Sequence, residues 1–321
     1  MTDAPRAAAP PGSDFKAFES AGWSARAGTY DALMARATAF AIPPLLAHVK
    51  PGDRVLDVGC GPGALVAAAA ERGAHVTGVD LADGMVEESR RRHPALTFLQ
   101  ADAEALPFDD DTFDVALGAF LVNHTPDAEA AVRELRRVAR TVALAAWGPE
   151  DEVAFLALPS AAAQGLGGVP DGSDSERYAN ADPLAALLAG GHETTRSDDA
   201  PSGDPGPGEA APGDGAPRGD DAPRGDDAPR GDDAPRGDAA APGHVSVRVV
   251  RDTLHVDSLD TLWDGIRGGT VRTAARIEGA TDEERARVRA RLTDLAEPFR
   301  TATGYELPVT ILIACCPRRA A

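Results

Sequence analysis

Residues 54–63 read Arg-Val-Leu-Asp-Val-Gly-Cys-Gly-Pro-Gly, and no other stretch constrains the fold as strongly. Val55, Leu56 and Val58 form a short apolar run, the pattern of a strand buried on both faces. Asp57 sits inside that run. Gly59, Gly61 and Gly63 follow at every second position, and an alanine-rich helical stretch starts at once. A strand, a tight glycine turn and a helix start in that order are the corner of an open α/β sheet. Glycine has no Cβ, so it tolerates positive φ and lets a ligand approach the backbone. In such sheets the turn presents that ligand at the carboxyl end of a parallel strand.

Strands and helices keep alternating downstream. Strands are expected at 54–59, 75–81, 96–102, 114–120 and 141–147, and helices at 64–72, 84–92 and 127–140. Short connections between them imply a parallel sheet covered on both faces. In the helix at 127–140, Ala131, Leu135 and Val138 share one face. Arg133, Arg136, Arg137 and Arg140 gather towards its C-terminal half, where cations suit the helix dipole. Thr125-Pro126 reads as its start. Upstream, 15–49 is helical in pattern, anchored by Phe18, Trp23, Tyr30, Leu33 and Phe40 and interrupted by Pro43-Pro44. Residues 148–190 read as a small helical cap. Later come a strand at 245–256, helices at 258–266 and 282–297, and a last strand at 307–315.

Composition changes abruptly at 197–243, which contains no Val, Ile, Leu, Met or aromatic residue. The hexapeptide Ala-Pro-Arg-Gly-Asp-Asp repeats three times from Ala216 to Asp233, with a partial fourth copy ending at Asp238. Twelve acidic and four basic residues give this segment a net charge of −8. Such a chain cannot bury enough apolar surface to offset its ordering entropy. It is expected to be a disordered insertion in a loop of one domain made of 15–196 and 244–316, with its core at 50–147. Residues 1–14 are expected to be disordered as well, and a chain lacking 200–240 is expected to fold.

The net charge of −19 over 321 residues argues against a nucleic-acid partner. No apolar run approaches a membrane span, and no secretory h-region opens the chain. Cys60, Cys315 and Cys316 form no disulfide framework, which points to a reducing cytoplasm. No metal-ligand cluster, G-x-S-x-G elbow or P-loop is present.

Three further segments follow the glycine turn in a telling order. Asp80 ends the second strand, 17 residues after Gly63. Ala101-Asp102-Ala103-Glu104-Ala105-Leu106-Pro107-Phe108 follows the third strand, with acidic residues and Phe113-Asp114 behind it. The fourth strand exits through Gly118 to Asp127, including Val122-Asn123-His124-Thr125-Pro126. Together these segments resemble class I S-adenosylmethionine-dependent methyltransferases, in the small-molecule branch near the ubiquinone/menaquinone C-methyltransferases. The resemblance runs through 15–147 by motif and 245–316 by order of elements. It implies a Rossmann-like, seven-stranded, mostly parallel α/β sheet with helices on both faces and the last strand antiparallel.

The resemblance also implies S-adenosylmethionine as cofactor and a small-molecule acceptor with an O, N or C nucleophile. Asp57 suits the ammonium of the methionine end. The turn amides of Gly59, Cys60, Gly61 and Gly63 suit its carboxylate. Asp80 suits the ribose hydroxyls, Leu81 and Met85 the flanks of the adenine, and Asp102 with Ala103 its edge. Tyr30, with Trp23, corresponds to a lid over the cofactor, although both also read as helix core, as does Met85. Val122, Asn123 and His124 face the acceptor. His124 is either a general base or a residue that holds its loop.

Two other readings compete. A nicotinamide site spaces its glycines G-x-G-x-x-G and aims a helix N-terminus at pyrophosphate. Here the third glycine comes one residue early and Pro62 stands in the middle, but Asp80 serves either cofactor. A non-catalytic adenosylmethionine-binding protein would carry the same motifs with a closed acceptor pocket.

Overall fold

The computed structural model of the chain describes residues 12–170, 176–190 and 244–317. The repeat insertion at 197–243 and residues 1–11 lie outside the described residues. Residues 13 and 14, expected to be disordered, instead begin the first helix, α1 (Ser13–Arg26).

The strands are β1 (Arg54–Val58), β2 (His75–Asp80), β3 (Thr97–Gln100), β4 (Phe113–Ala119), β5 (Ala139–Trp147), β6 (Ser246–Val256), β7 (Arg300–Thr301) and β8 (Gly304–Pro317). Their order is β3-β2-β1-β4-β5-β8-β6, and β7 pairs only with β8. The first five strands run parallel, and β8 is antiparallel to both β5 and β6. This is the expected mostly parallel sheet with its last strand antiparallel. The two-residue β7 is an addition that no sequence pattern announced.

After α1 come α2 (Met34–Thr38), α3 (Ile42–Leu46), α4 (Ala64–Glu71), α5 (Asp83–Arg92), α6 (Ala128–Val138), α7 (Ala154–Ala162), α8 (Ala181–Ala189), α9 (Leu259–Gly269), α10 (Arg272–Glu278) and α11 (Asp282–Ala296). Pro43 and Pro44 occupy the first turn of α3 and do not interrupt a helix. A first-turn N–H has no intrahelical partner, so proline loses nothing there. The start of α6 is set by Asp127, not by Thr125-Pro126. The Asp127 side chain accepts from Ala130 N at 2.7 Å, a cap of the ordinary kind. The segment expected as a cap divides in two. α7 packs on α11 and β8, whereas α8 lies against β8, β6 and α6 as a sheet-covering helix. The short α10 was not expected.

Alternation along the strands sorts side chains onto two cores. Val115 and Leu117 of β4, Ala143 and Ala145 of β5, and Ile311 and Ile313 of β8 face one side. Ala116, Val142, Leu144 and Leu312 face the other, under α6 and α8. Cys315 and Cys316 therefore point to opposite cores, and both are unpaired and buried. On α6, Leu135 is 0% exposed; truncating such a leucine costs about 2–5 kcal/mol. Among the described residues no helix is long and apolar enough to cross a membrane.

From β1 the chain moves outward through β2 to β3, then returns to the other side of β1 for β4 and β5. The order thus reverses between β1 and β4. At such a switch point the crossover helices leave on opposite faces, and a crevice opens at the carboxyl ends. That crevice positions everything described next.

Candidate functional site

The glycine turn closes on β2. Gly59 and Cys60 donate from their amides to Val79 O at 2.8 and 3.0 Å. Gly61 N donates to Asp80 Oδ2 at 2.9 Å, and Gly63 N to Cys60 O at 3.0 Å. All four turn amides are therefore spent within the protein. The amides expected to meet a ligand carboxylate are thus already hydrogen-bonded, those of Gly59, Cys60 and Gly61 to β2 and that of Gly63 within the turn. The glycines still matter. Gly63 has φ +90°, and a Cβ there would meet Phe98 and His93 at 3.0 Å.

Asp80 accepts twice, from Gly61 N through Oδ2 and from Ala82 N through Oδ1, at 2.9 Å each. Burial raises its pKa, and these amides work against that rise. Asp57 is different. It is 1% exposed, and neither carboxylate oxygen has a hydrogen-bond partner among the described residues. Burial first, and then the charge of Asp80, push its pKa up to about 8. A buried acid without a donor is a costly arrangement that a bound cation would relieve.

A first cleft of about 910 Å³ opens above this corner. Nine of the twelve residues expected from sequence line it: Tyr30, Gly59, Gly61, Asp80, Leu81, Met85, Asp102, Ala103 and His124. Asp57, Cys60 and Gly63 do not; they sit beneath or behind the turn. The Cys60 thiol is buried, and burial raises its pKa well above the usual thiol range. The orphaned Asp57 carboxylate, the strand-end Asp80 and the apolar sides from Leu81 and Met85 fit a ligand with an ammonium, a ribose and a flat base.

α1 forms the outer wall. Ser20 Oγ donates to Leu81 O at 3.3 Å, and Ser24 Oγ donates to Asp83 Oδ1 at 2.6 Å. Lys16 Nζ reaches Asp102 Oδ2 at 2.7 Å and Glu104 Oε2 at 2.6 Å. Burial opposes the charge of Lys16, but the two carboxylates outweigh it and its pKa is raised. Asp102 Oδ1 also accepts from Glu104 N at 2.9 Å. A base amine approaching Asp102 must therefore share it with Lys16. Tyr30 and Trp23 meet edge to face with centroids 6.0 Å apart. Burial is the main reason the Tyr30 phenol is pushed up to about 12.

His124 stands where this cleft meets a second one. The two share Trp23, Met34, His124 and Trp147. His124 Nδ1 lies 2.8 Å from Glu19 Oε2, and Trp23 Nε1 donates to the same oxygen at 3.0 Å. Arg272 Nε is 3.7 Å from Glu19 Oε1, and its Nη2 donates to Asn123 O at 3.0 Å. The Glu19 side chain is 3% exposed. Burial would raise its pKa, but the charge and hydrogen bond of His124, then Arg272 and Trp23, outweigh it and hold the carboxyl below its usual range. Trp23 also stands edge-on to the His124 ring at 5.1 Å. Nearby, Phe120 stacks on Trp147 at 3.8 Å with φ +60°, a strained conformation for an aromatic residue.

Sequence reasoning missed Glu19, Lys16, Phe120 and Arg272. Only Glu19 left a trace: it is an acid four residues from Phe15 and from Trp23, on the buried side of α1.

Residues 55–141 match the methyltransferase domain family. The chain is 34% identical over 160 residues to a malonyl-[acyl-carrier protein] O-methyltransferase of Serratia marcescens, across 50% of this chain and 60% of that protein. It is 39% identical over 110 residues to a demethylmenaquinone methyltransferase of Beutenbergia cavernae, across 34% of this chain and 44% of that one. The chain thus spans about half the length of the curated relatives it matches. Of solved structures, the YcgJ protein of Bacillus subtilis aligns over 88% of this chain and 99% of its own, at 17% identity and a TM-score of 0.46. The strand order and the Asp80-bound glycine turn agree with the methyltransferase domain family that residues 55–141 match.

Proposed function

We propose that the protein transfers the methyl group of adenosylmethionine, held in the first cleft, to an O, N or C nucleophile of a small molecule held in the second. The observation that carries this reading is the meeting of the two clefts at Trp23, Met34, His124 and Trp147. Adenosylmethionine supplies a methyl already activated by its sulfonium, so positioning can account for much of the rate.

Each residue has a task in this reading. Asp57 answers the ammonium. Asp80, held by the Gly61 and Ala82 amides, offers the remaining lone pairs of its carboxylate to the ribose hydroxyls. Leu81 and Met85 flank the base, while Asp102 and Ala103 meet its edge. α1 covers the cleft and excludes water, which strengthens every charge inside. Trp23 and Trp147 present aromatic surface where a sulfonium would sit.

His124 is the proton acceptor. If Nδ1–H donates to Glu19, the lone pair is left on Nε2, towards the acceptor's nucleophile. Glu19 sets that tautomer and stabilises the imidazolium that forms. Val122 and Asn123 hold the loop on which His124 rides. The single domain is interrupted by the repeat insertion, which has no task here. Three unpaired cysteines fit the cytoplasm.

The test is calorimetric binding of adenosylmethionine and adenosylhomocysteine to wild type and to Asp80→Ala. Binding that the substitution weakens about tenfold, a loss of ~1.4 kcal/mol, is expected. A folded wild-type sample that binds neither compound would refute the reading, and nicotinamide dinucleotides would then be tested in their place.

A further inference from the structure

The second cleft holds about 1210 Å³, and it contains a cation that no described residue neutralises. Arg276 Nε is shut off from solvent and has no hydrogen-bond partner. Two other arginines have an equally buried Nε, but Arg26 reaches Glu278 at 3.1 Å and Arg267 reaches Asp264 at 3.9 Å. Arg276 makes no ion pair or hydrogen bond among the described residues. Its Nε–H is thus a donor cut off from water without an acceptor, which costs free energy, while the rest of the guanidinium fork stays available.

The other charges around it do not meet this demand. Arg272, one turn earlier on α10, is committed to Glu19 and to Asn123 O. Glu150 and Glu176 line the same cleft but are exposed, so water screens them. Glu278, two residues on, faces Arg26. What remains is one half-buried cation on the cleft wall that no described residue pairs.

Its position relative to the reaction centre follows from the helix. Arg272 is tied to the backbone next to His124, and Arg276 lies four residues further along α10, about 6 Å at helical rise. The same cleft is lined by the apolar side chains of Val153, Leu156, Val271 and Trp23. One small molecule can therefore present a nucleophile at His124, lay an apolar body along that wall and end in an anion at Arg276.

We propose that the methyl acceptor carries a carboxylate a few ångströms from its nucleophile and that Arg276 reads it. This rests on the two-cleft reading above and adds the acceptor's chemical class. A carboxylate matches the guanidinium fork with two parallel hydrogen bonds. A single free cation beside two exposed carboxylates suits a monoanion and disfavours a doubly charged phosphate.

The test uses the full-length chain saturated with adenosylhomocysteine. It is titrated with matched acids and amides: benzoate and benzamide, 4-hydroxybenzoate and 4-hydroxybenzamide, phenylpropionate and its amide, hexanoate and hexanamide. At least one acid is expected to bind about tenfold more tightly than its amide. Arg276→Met should shrink that preference to about twofold or less and leave adenosylhomocysteine affinity unchanged, whereas Arg276→Lys should keep part of it. A panel with no acid preference in wild type overturns the proposal, and so does a preference that survives Arg276→Met. Failure of wild type to bind adenosylhomocysteine would instead strike the methyltransferase reading beneath it.

Discussion

Asp57 makes the sharpest prediction, because its burial converts cofactor binding into a proton count. An aspartate in the unfolded chain titrates near about 3.9. In the folded, ligand-free protein burial and Asp80 push Asp57 up to about 8. At pH 7 a group with that pKa is about 90% protonated. An ammonium placed beside it favours the carboxylate, so the proton must leave as the ligand arrives. Adenosylhomocysteine binding at pH 7 should therefore release roughly 0.9 proton, and at pH 9 only about 0.1.

Calorimetry measures this directly, as the slope of observed enthalpy against buffer ionisation enthalpy across phosphate, imidazole and Tris. Asp57→Asn removes the titrating group, so its slope should fall to nearly zero while binding weakens. A wild-type slope of zero at pH 7 would show that the ligand's ammonium never engages Asp57. An unchanged slope in Asp57→Asn would show that the proton comes from another group. Either result would refute the reasoning.

Further expectations concern stability and the His124 pair. Without ligand, folded Asp57 holds a proton that the unfolded chain has lost between pH ~4 and ~8, so stability should decline as pH rises through that window; a thermal-unfolding profile that is flat across it, or equally sloped in Asp57→Asn, would contradict this. Glu19 has the opposite sign. Its folded pKa is depressed from 4.5, so its contribution is present above that value and disappears as pH falls through the folded pKa; Glu19→Gln should remove this part of the acid limb. Gly63→Ala forces a side chain into φ +90° against Phe98 and His93 and should cost about 1–3 kcal/mol in denaturant unfolding; an unchanged midpoint would mean that the turn relaxes freely. Deleting 200–240 should leave the melting temperature within about 2 °C of wild type; loss of cooperative unfolding would show that the repeat supports the fold.

The sheet was legible in the sequence because its information is local. Val55, Leu56 and Val58 mark a buried strand whatever lies beside them, and Gly59, Gly61 and Gly63 mark the turn that must follow. The errors fall where a local signal has two structural outcomes. Pro43-Pro44 reads as a break, yet proline is equally at home in a first helical turn, and α3 takes that option. Thr125-Pro126 and Asp127 are both good helix starts; Asp127 prevails because its carboxylate reaches the Ala130 amide. Ala181–Ala189 looked like part of a cap because its apolar residues carry no record of the sheet they cover.

The same physics divides the site. Asp80 ends β2 and Asp102 follows β3, so their convergence on one cleft, with Asp57 buried in β1 beneath it, follows once the strands are recognised. The turn amides show the limit of that logic. Their number and placement suggested an anion cradle, but a parallel strand alongside offered Val79 O and Asp80 as acceptors first. The acceptor side has no local grammar. Glu19 reaches His124 across 105 positions and Arg272 reaches Asn123 across 149. A glutamate on α1, a histidine after β4 and an arginine on a seven-residue helix come together only after the sheet has folded between them. Sequence motifs therefore report the shared half of the site, the glycine turn and the aspartates near the carboxyl ends of the strands. The half that would distinguish this protein rests on side chains such as Arg276, which no described residue pairs.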